Sequence, residues 1–374
     1  MTEQADGKKA EKTTTQLRNG VKALSEALED LSKKDGARIA IFAHGMPDPD
    51  AIASMMGMRW LCIKKYGIDA DIFYAGEVAH PQNSTMVNLL DPAMIRVDDK
   101  DKGYKSENYN FRILCDTVPN HAGIGEFPIT FDVMIDHHKE IPHDFKGIII
   151  HRKVGSCAAI VYDIIKQLVT PESDQWFDDD VDYDSKVATA LIAGVMTDCN
   201  FCLADDSTEV DRAAVNELFE YRNSGFLHQI VFFKRPKFWI TVKAMGCREA
   251  DINEEGFAIV GLGLIPAKER DLIADMAEEM ITWASVETAV AFGIVDGNRI
   301  EGSVRSNNAS ISVHEFCKKL GGRDGSGGGK HGKGAYRMPM SPPIDPDEDE
   351  EDVHETWEAT KKREMKRIRR IIKK

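Results

Sequence analysis

No stretch of this 374-residue chain reaches the roughly 18 uninterrupted apolar residues that a membrane helix needs, so no membrane span is expected. The N-terminus, MTEQADGKKAEKTTTQ, is polar and has no apolar core of the kind a secretion signal carries. The expected compartment is the cytoplasm. Cysteine is scarce: the seven present are scattered, and Cys199 and Cys202 form one C-x-x-C with no second pair to complete a zinc site. Reduced, structural thiols are expected. Positive charge is in deficit. A net charge of −14 argues against a general affinity for nucleic acid, while leaving room for a local basic pocket that takes a small anion. There is no internal repeat.

What is present is an ordinary globular balance, 42% apolar and 29% charged, in a chain long enough for two domains or one large one. Leu17, Val21, Leu24, Leu28 and Leu31 fall at helical spacing. RIAIFAHG (38–45) reads as a strand and DAIASMMGMRWLCIKKYG (50–67) as a helix. Further strands are expected at 70–76, 111–117, 131–136 and 146–152, and helices at 155–169 and 185–198. Apolar strands alternating with helices argue for a parallel sheet covered on both faces. After a helix near 207–222, a second pattern begins at Phe238: strands at 238–248 and 256–264, a helix at 267–283, strands at 287–295 and 298–306, a helix at 310–320, a Gly-rich loop and a last strand.

The expected organisation is an N-terminal tail and helix (1–35), an α/β domain (36–205), a linker helix (206–237), a smaller α+β domain (238–340) and an acidic, then basic tail (341–374). The end of the tail is a basic amphipathic helix with Trp357, Met365, Ile368 and Ile372 on one side. It is expected either to pack on its own protein or to dangle; binding an anionic surface is the sharper alternative.

Four places combine acid and imidazole at element ends. His44 ends a strand, with Asp48 and Asp50 ahead of the next helix; Asp116 ends another strand; Asp136, His137 and His138 end a third; Asp198 ends an apolar helix. Ligands of an open parallel sheet bind outside the carboxyl ends of its strands, so these groups would gather on one edge. Packed carboxylates repel one another and resist ionising, and a lone buried one is costly. A pair of divalent cations resolves both problems. The O and N ligands suit Mn²⁺, Mg²⁺ or Zn²⁺. Two metals about 3.5–4 Å apart can hold the attacking and leaving oxygens of a phosphoryl transfer, with Asp116 shared and a metal-activated water as nucleophile. The alternative for any one residue is a cap or turn: Asp50 could cap its helix, and Asp48 sits in a Pro-rich turn.

H-x-x-x-D-x-D-A (His44, Asp48, Asp50, Ala51), Asp116, Asp136-His137-His138 and Thr197-Asp198, in that order, resemble the motifs of the DHH phosphoesterases. VGSCAAIVYDII (154–165) is similar to that family's G-S-T segment, with Cys157 in place of Thr. GSVRSN (302–307) and GSGGGKHGKGAYRM (325–338) resemble the S-x-R-S and Gly-rich segments of the associated DHHA1 domain. The resemblance covers roughly 38–340. It implies a two-domain α/β phosphodiesterase with its metal site in the cleft between the DHH and DHHA1 domains. It also implies two divalent ions, Mn²⁺ first and Mg²⁺ second. His44 and Asp48 would hold one ion, Asp50, His137 and Asp198 the other, and Asp116 would bridge. His138 would face the scissile phosphate and Asp136 would orient the histidines. Arg305, Ser306, Lys330 and His331 would grip the substrate, while Gly327, Gly328 and Gly329 let backbone N–H groups approach it.

Lys330 stands where the family has a glycine, and Tyr336 replaces the final glycine; Lys330 could meet another phosphate or be a surface lysine, and Tyr336 could stack on a base or be an ordinary strand residue. The expected substrate is a short linear oligonucleotide, chiefly a 5′-phosphorylated dinucleotide of the pGpG or pApA type, cleaved to mononucleotides. The alternatives are 3′-phosphoadenosine 5′-phosphate and cyclic dinucleotides, then a single-strand exonuclease or a catalytically dead binding module. The expected partner is a small nucleotide, with no long duplex nucleic acid; a homodimer is left open. Because the tail lies outside the resemblance, truncation after Pro343 is expected to spare turnover.

Overall fold

The computed structural model describes residues 19–121, 123–138, 141–169, 177, 182–330, 332–345 and 349–372. The chain divides into two compact units, 1–234 and 235–374. Each has its own sheet and its own core.

The first unit opens with helix α1 (19–32), which buries Val21, Leu24, Leu28 and Leu31. Its sheet has the order β3-β2-β1-β4-β5-β6. The strands are β1 (Arg38–Phe42), β2 (Asp69–Tyr74), β3 (Met94–Arg96), β4 (Phe111–Cys115), β5 (Val133–Asp136) and β6 (Ile148–His151). Every pairing is parallel, as strands apolar on both faces require. The chain leaves β1 outward through β2 and β3, then returns to its other side with β4. The order therefore reverses between β1 and β4, where such sheets open a crevice at their carboxyl ends.

Helices α2 (Pro49–Tyr66), α4 (Cys157–Leu168) and α5 (Asp182–Asp198) pack together beside the sheet. Gly57 and Gly194 lie where these helices meet; a Cβ on Gly57 would stand 2.6 Å from Val161 Cγ1, and one on Gly194 2.8 Å from Ala53 Cβ. Helix α2 starts at Asp48, whose side chain accepts from the Ala51 N–H, with Pro49 next. It ends at Gly67 in the left-handed conformation. Helix α3 (Pro81–Leu90) and strand β3 were not anticipated from the sequence. Helices α6 (Glu209–Leu218) and α7 (Ser224–Val231), in the stretch expected to link the units, place Ala214, Leu218, Leu227 and Ile230 in the first unit's core.

The second unit begins with helix α8 (Lys237–Glu249), not the strand expected at 238–248. Trp239, Lys243 and Gly246 are its buried positions, spaced four and three apart, while Ile240 is 58% exposed. Burial of Lys243 rests on Asp275 at 2.5 Å and Glu279 at 2.7 Å. The β-branched run around Ile240 suggested a strand, and these ion-paired tertiary contacts override it. A mixed sheet follows, in the order β11-β12-β10-β9-β8-β7, with β7 (Asp251–Ile252), β8 (Phe257–Ile265), β9 (Thr288–Val295), β10 (Arg299–Ser306), β11 (Ser326–Lys330) and β12 (Lys333–Pro339). Only β8 and β9 pair in parallel. Helices α9 (Leu272–Met280) and α10 (Val313–Gly321) cover it. Half of the expected Gly-rich loop is strand β11.

The tail is part of this unit. Helix α11 (Glu350–Ile372) buries Trp357 and Ile368 in the same core as Phe292 and Phe316. Trp357 lies over Gly261, where a Cβ would stand 2.9 Å from its ring. Lys361 pairs with Glu249 at 2.7 Å and Arg369 with Asp251 at 2.6 Å. The helix therefore packs on its own protein, one of the two arrangements expected of it. No helix among the described residues is long and apolar enough to cross a membrane.

Candidate metal centre

The carboxyl ends of β1, β4 and β5 carry His44, Asp116 and Asp136-His137-His138. The ends of α2 and α5 add Asp48, Asp50 and Asp198. Among the described residues, three sets each bring their ligand atoms within 4.8 Å of one another: His44, Asp48 and Asp116; Asp50, His137 and Asp198; and Asp116, His137 and His138. Asp116 faces both histidine groups, with Oδ2 3.7 Å from His44 Nε2 and Oδ1 3.5 Å from His137 Nε2. His44 Nε2 is 3.9 Å from Asp48 Oδ1. His137 Nε2 is 3.4 Å from Asp198 Oδ2 and 4.0 Å from Asp50 Oδ2.

The site is held from behind by backbone. His137 Nδ1 is 3.1 Å from the Val154 carbonyl oxygen, which turns Nε2 toward the carboxylates. Asp50 accepts from the N–H groups of Cys157 and Ala158, each at 2.7 Å, at the start of α4. A helix N-terminus suits a carboxylate there. Asp211, fully buried, accepts from the Gly155 N–H and the Ser156 hydroxyl and so fixes the segment that leads into α4. Asp136 Oδ1 accepts from the His137 N–H at 2.9 Å and is 2.8 Å from His138 Nδ1. That bond occupies His138 Nδ1 and leaves Nε2 as the outward nitrogen of a ring 43% exposed.

Two glycines make room beside His44. A Cβ on Gly76 would stand 1.9 Å from the Gly45 carbonyl oxygen, and one on Gly123, at φ +91°, 2.7 Å from Gly45 Cα. Asp116 itself has φ +56°, a left-handed conformation uncommon outside glycine. The strain, of order 1 kcal/mol, marks a position held by its surroundings.

The electrostatics resemble those of a cation site. Burial, then the neighbouring Asp48, pushes the Asp116 carboxyl well above the usual carboxylate range. Burial, then Asp116 and Asp198, does the same to Asp50. Burial would lower the His137 pKa, but Asp50 and Asp198 raise it above its ordinary value. Asp116 Oδ1 is buried with no hydrogen-bond partner. Asp198 closes the C-terminal end of α5, where a helix dipole disfavours negative charge. Oxygen and imidazole donors crowded in this way fit divalent cations such as Mn²⁺ or Mg²⁺. Asp48 is the helix cap; Asp50, offered as one from sequence, instead receives the start of α4.

Among the expected substrate residues, Arg305 lines a cavity of about 740 Å³ with Gly327, Gly328, Gly329 and Lys330. Ser306 does not line it; its hydroxyl is 2.8 Å from Thr288 Oγ1. Ser303 lines the cavity and receives Arg305 Nη1 at 2.8 Å. His331 lies outside the described residues. The Tyr336 ring is buried against Gly302, so it is a core residue and offers no face for stacking. Sequence reasoning missed Asp211, and it missed His121, whose ring centroid is 6.1 Å from that of His44.

Residues 38–195 match the DHH family, N-terminal domain. An uncharacterized protein of Methanocaldococcus jannaschii is 27% identical over 313 residues, 84% of this chain and 60% of its own length. A probable manganese-dependent inorganic pyrophosphatase of Streptococcus thermophilus is 24% identical over 185 residues, 49% of this chain and 54% of its own. The chain thus spans little more than half the length of these curated relatives. The crystal structure of an exopolyphosphatase-related protein from Bacteroides fragilis shares the fold, with a TM-score of 0.63 at 13% identity over 94% of this chain and 98% of that one. Residues 38–195 thus carry the match to the DHH family, and the chain is similar over about half its length to a probable manganese-dependent pyrophosphatase. The chain's two α/β units are a DHH-like parallel-sheet domain and a DHHA1-like mixed-sheet domain.

Proposed function

We propose that this chain is a metal-dependent phosphodiesterase that cleaves short 5′-phosphorylated oligonucleotides, with dinucleotides of the pGpG or pApA type as the smallest substrates, to mononucleotides. The observation that carries this reading is Asp116, which belongs to a ligand set with His44 and Asp48 and also lies 3.5 Å from His137 in the second set. His44 and Asp48 would hold one cation, Asp50, His137 and Asp198 the other, and Asp116 both. Two bound divalent cations would supply charge stabilisation at the phosphoryl oxygens and an activated water.

The chain's own groups do the rest. Asp136 holds His138 by Nδ1, so that Nε2 can donate to a phosphate oxygen or to the departing oxygen. The Val154 carbonyl and the start of α4 keep His137 and Asp50 from swinging away. Arg305, Lys330 and His331 on the second domain take the substrate's terminal phosphate, and Gly327 to Gly329 let backbone approach it. A Cβ on Gly327 or Gly329 would stand 2.0 Å from the Cys317 carbonyl oxygen or 2.3 Å from that of Lys333, so these glycines also permit the strand itself.

A second reading, hydrolysis of inorganic pyrophosphate, is favoured by the match to the streptococcal pyrophosphatase. Turnover with Mn²⁺ on a panel of 5′-phosphorylated dinucleotide, its unphosphorylated form, cyclic dinucleotide, 3′-phosphoadenosine 5′-phosphate and pyrophosphate decides. The proposal expects the first to lead. Pyrophosphate turnover alone would replace it, and no turnover on the panel would point to a binding module.

A further inference from the structure

The cavity of the second domain is more cationic than one terminal phosphate requires. Its wall carries five cationic side chains and two carboxylates, in a chain of net charge −14. The cations sit in two groups. Along β10, Glu301, Ser303 and Arg305 share one face, and their partners on β12 are Arg337, Ala335 and Lys333. On β11, Gly328 stands opposite Ala335 and Lys330 opposite Lys333. One end therefore holds Arg305, Lys330 and Lys333, with Glu278 3.0 Å from Arg305. The other end holds Glu301, which receives Arg299 at 2.7 Å, Arg270 at 3.2 Å and Arg337 at 3.2 Å. Asp271 also lines the cavity. Ser303, Ala335 and Gly328 form a floor of small residues between the ends.

Glu301 is a single carboxylate among three guanidiniums: Arg299 and Arg337 lie on Oε1 at 2.7 and 3.2 Å, and Arg270 on Oε2 at 3.2 Å. Arg270 and Arg337 are thus in excess over the carboxylate they touch, and both line the cavity. One Glu301 charge balances only one of the three guanidiniums, and the remaining like charges favour a further anion among them. Four residue steps along β10, from Glu301 to Arg305, separate the two ends, about 13 Å at roughly 3.3 Å per residue. A volume of about 740 Å³ is that of a small-ligand site.

We propose that Arg270 and Arg337 form a second anion subsite at the far end of this cavity from Arg305, so that the second domain holds two phosphate groups of one extended ligand. The inference rests on the reading that this domain holds the substrate. It specifies the ligand as a chain with a phosphate beyond the 5′-phosphate of a dinucleotide. A trinucleotide or a linear polyphosphate meets that requirement, and a single phosphate does not.

The test uses the full chain with Mn²⁺. Steady-state turnover is measured on a 5′-phosphorylated dinucleotide and trinucleotide, with inorganic tripolyphosphate as competitor. The wild type should favour the trinucleotide through a lower KM. Arg270→Ala and Arg337→Ala should each remove about tenfold of that advantage, in KM and not in kcat. Arg337 is 52% exposed, so its variant keeps the test alive if Arg270→Ala fails to fold. Competition by tripolyphosphate that weakens in Arg337→Ala would identify an inorganic chain as a ligand of the subsite; competition unchanged in that variant, with the trinucleotide advantage lost, would identify the oligonucleotide. A trinucleotide preference untouched by both variants, or no such preference in the wild type, would overturn the proposal. If no oligonucleotide is turned over at all, the phosphodiesterase reading fails instead. Calorimetric binding of tripolyphosphate to wild type and Arg337→Ala then decides the subsite: a tenfold loss supports it, and equal affinity overturns it.

Discussion

Asp136→Asn separates the work of orienting His138 from the work of holding metal. Asp136 is fully buried, and its Oδ1 takes both the His137 N–H and His138 Nδ1. Burial would raise its carboxyl, but the bond to His138 holds it below the usual carboxylate range, so the group is ionised in the fold. Asparagine keeps the shape and removes the charge. A hydrogen bond to a charged group is worth roughly 1.5–3 kcal/mol, which is about ten- to a hundredfold in kcat if His138 must be held for the chemical step. The amide also places an NH₂ where Oδ2 now lies buried without a hydrogen-bond partner, a further cost of about 1–3 kcal/mol in stability. Steady-state kinetics on a 5′-phosphorylated dinucleotide should show the fall in kcat with Mn²⁺ content unchanged, since no oxygen of Asp136 belongs to a ligand set. Turnover within twofold of wild type would refute the orienting role. Loss of metal in step with activity would make Asp136 part of the metal site.

Three further outcomes are expected. Trp357→Ala should cost about 3–5 kcal/mol in denaturant unfolding of the second unit, and truncation after Pro343 more, because Trp357 and Ile368 are core residues; an unchanged midpoint would contradict the packing of α11. Mn²⁺ at a hundred times its Kd should stabilise the first unit by about 2.7 kcal/mol in thermal unfolding, and no shift would argue against a cation site. Arg305→Ala should erase the preference for a 5′-phosphorylated over an unphosphorylated dinucleotide, about ten- to a hundredfold; a preference that survives would place the phosphate elsewhere.

Some of this was legible in sequence for a physical reason. Strands β1, β4 and β5 are buried on both faces, so their apolar runs stand out, and His44, Asp116 and Asp136 are visible as polar groups that end them. Helix α8 was misread because its buried Lys243 looks polar in a one-dimensional pattern and is made apolar-compatible only by Asp275 and Glu279. Strand β3 has three residues, too few to show a period. The supports of the site were hidden differently. The Val154 carbonyl and the Cys157 and Ala158 N–H groups act through backbone, which carries no residue signature. Asp211 lies more than fifty residues from the Gly155 and Ser156 it anchors. The apolar side of α11 could be read, but not the Gly261 surface that receives it.

The central claim is a two-cation centre that shares Asp116, and metal stoichiometry tests it most directly. Asp116 Oδ2 faces His44 and Oδ1 faces His137, so one carboxylate serves both ligand sets. Equilibrium dialysis against Mn²⁺ should find two ions per wild-type chain. In Asp116→Ala, at the same free Mn²⁺, occupancy and turnover should collapse together. Two ions still bound by that variant, with near-normal turnover, would contradict the shared centre.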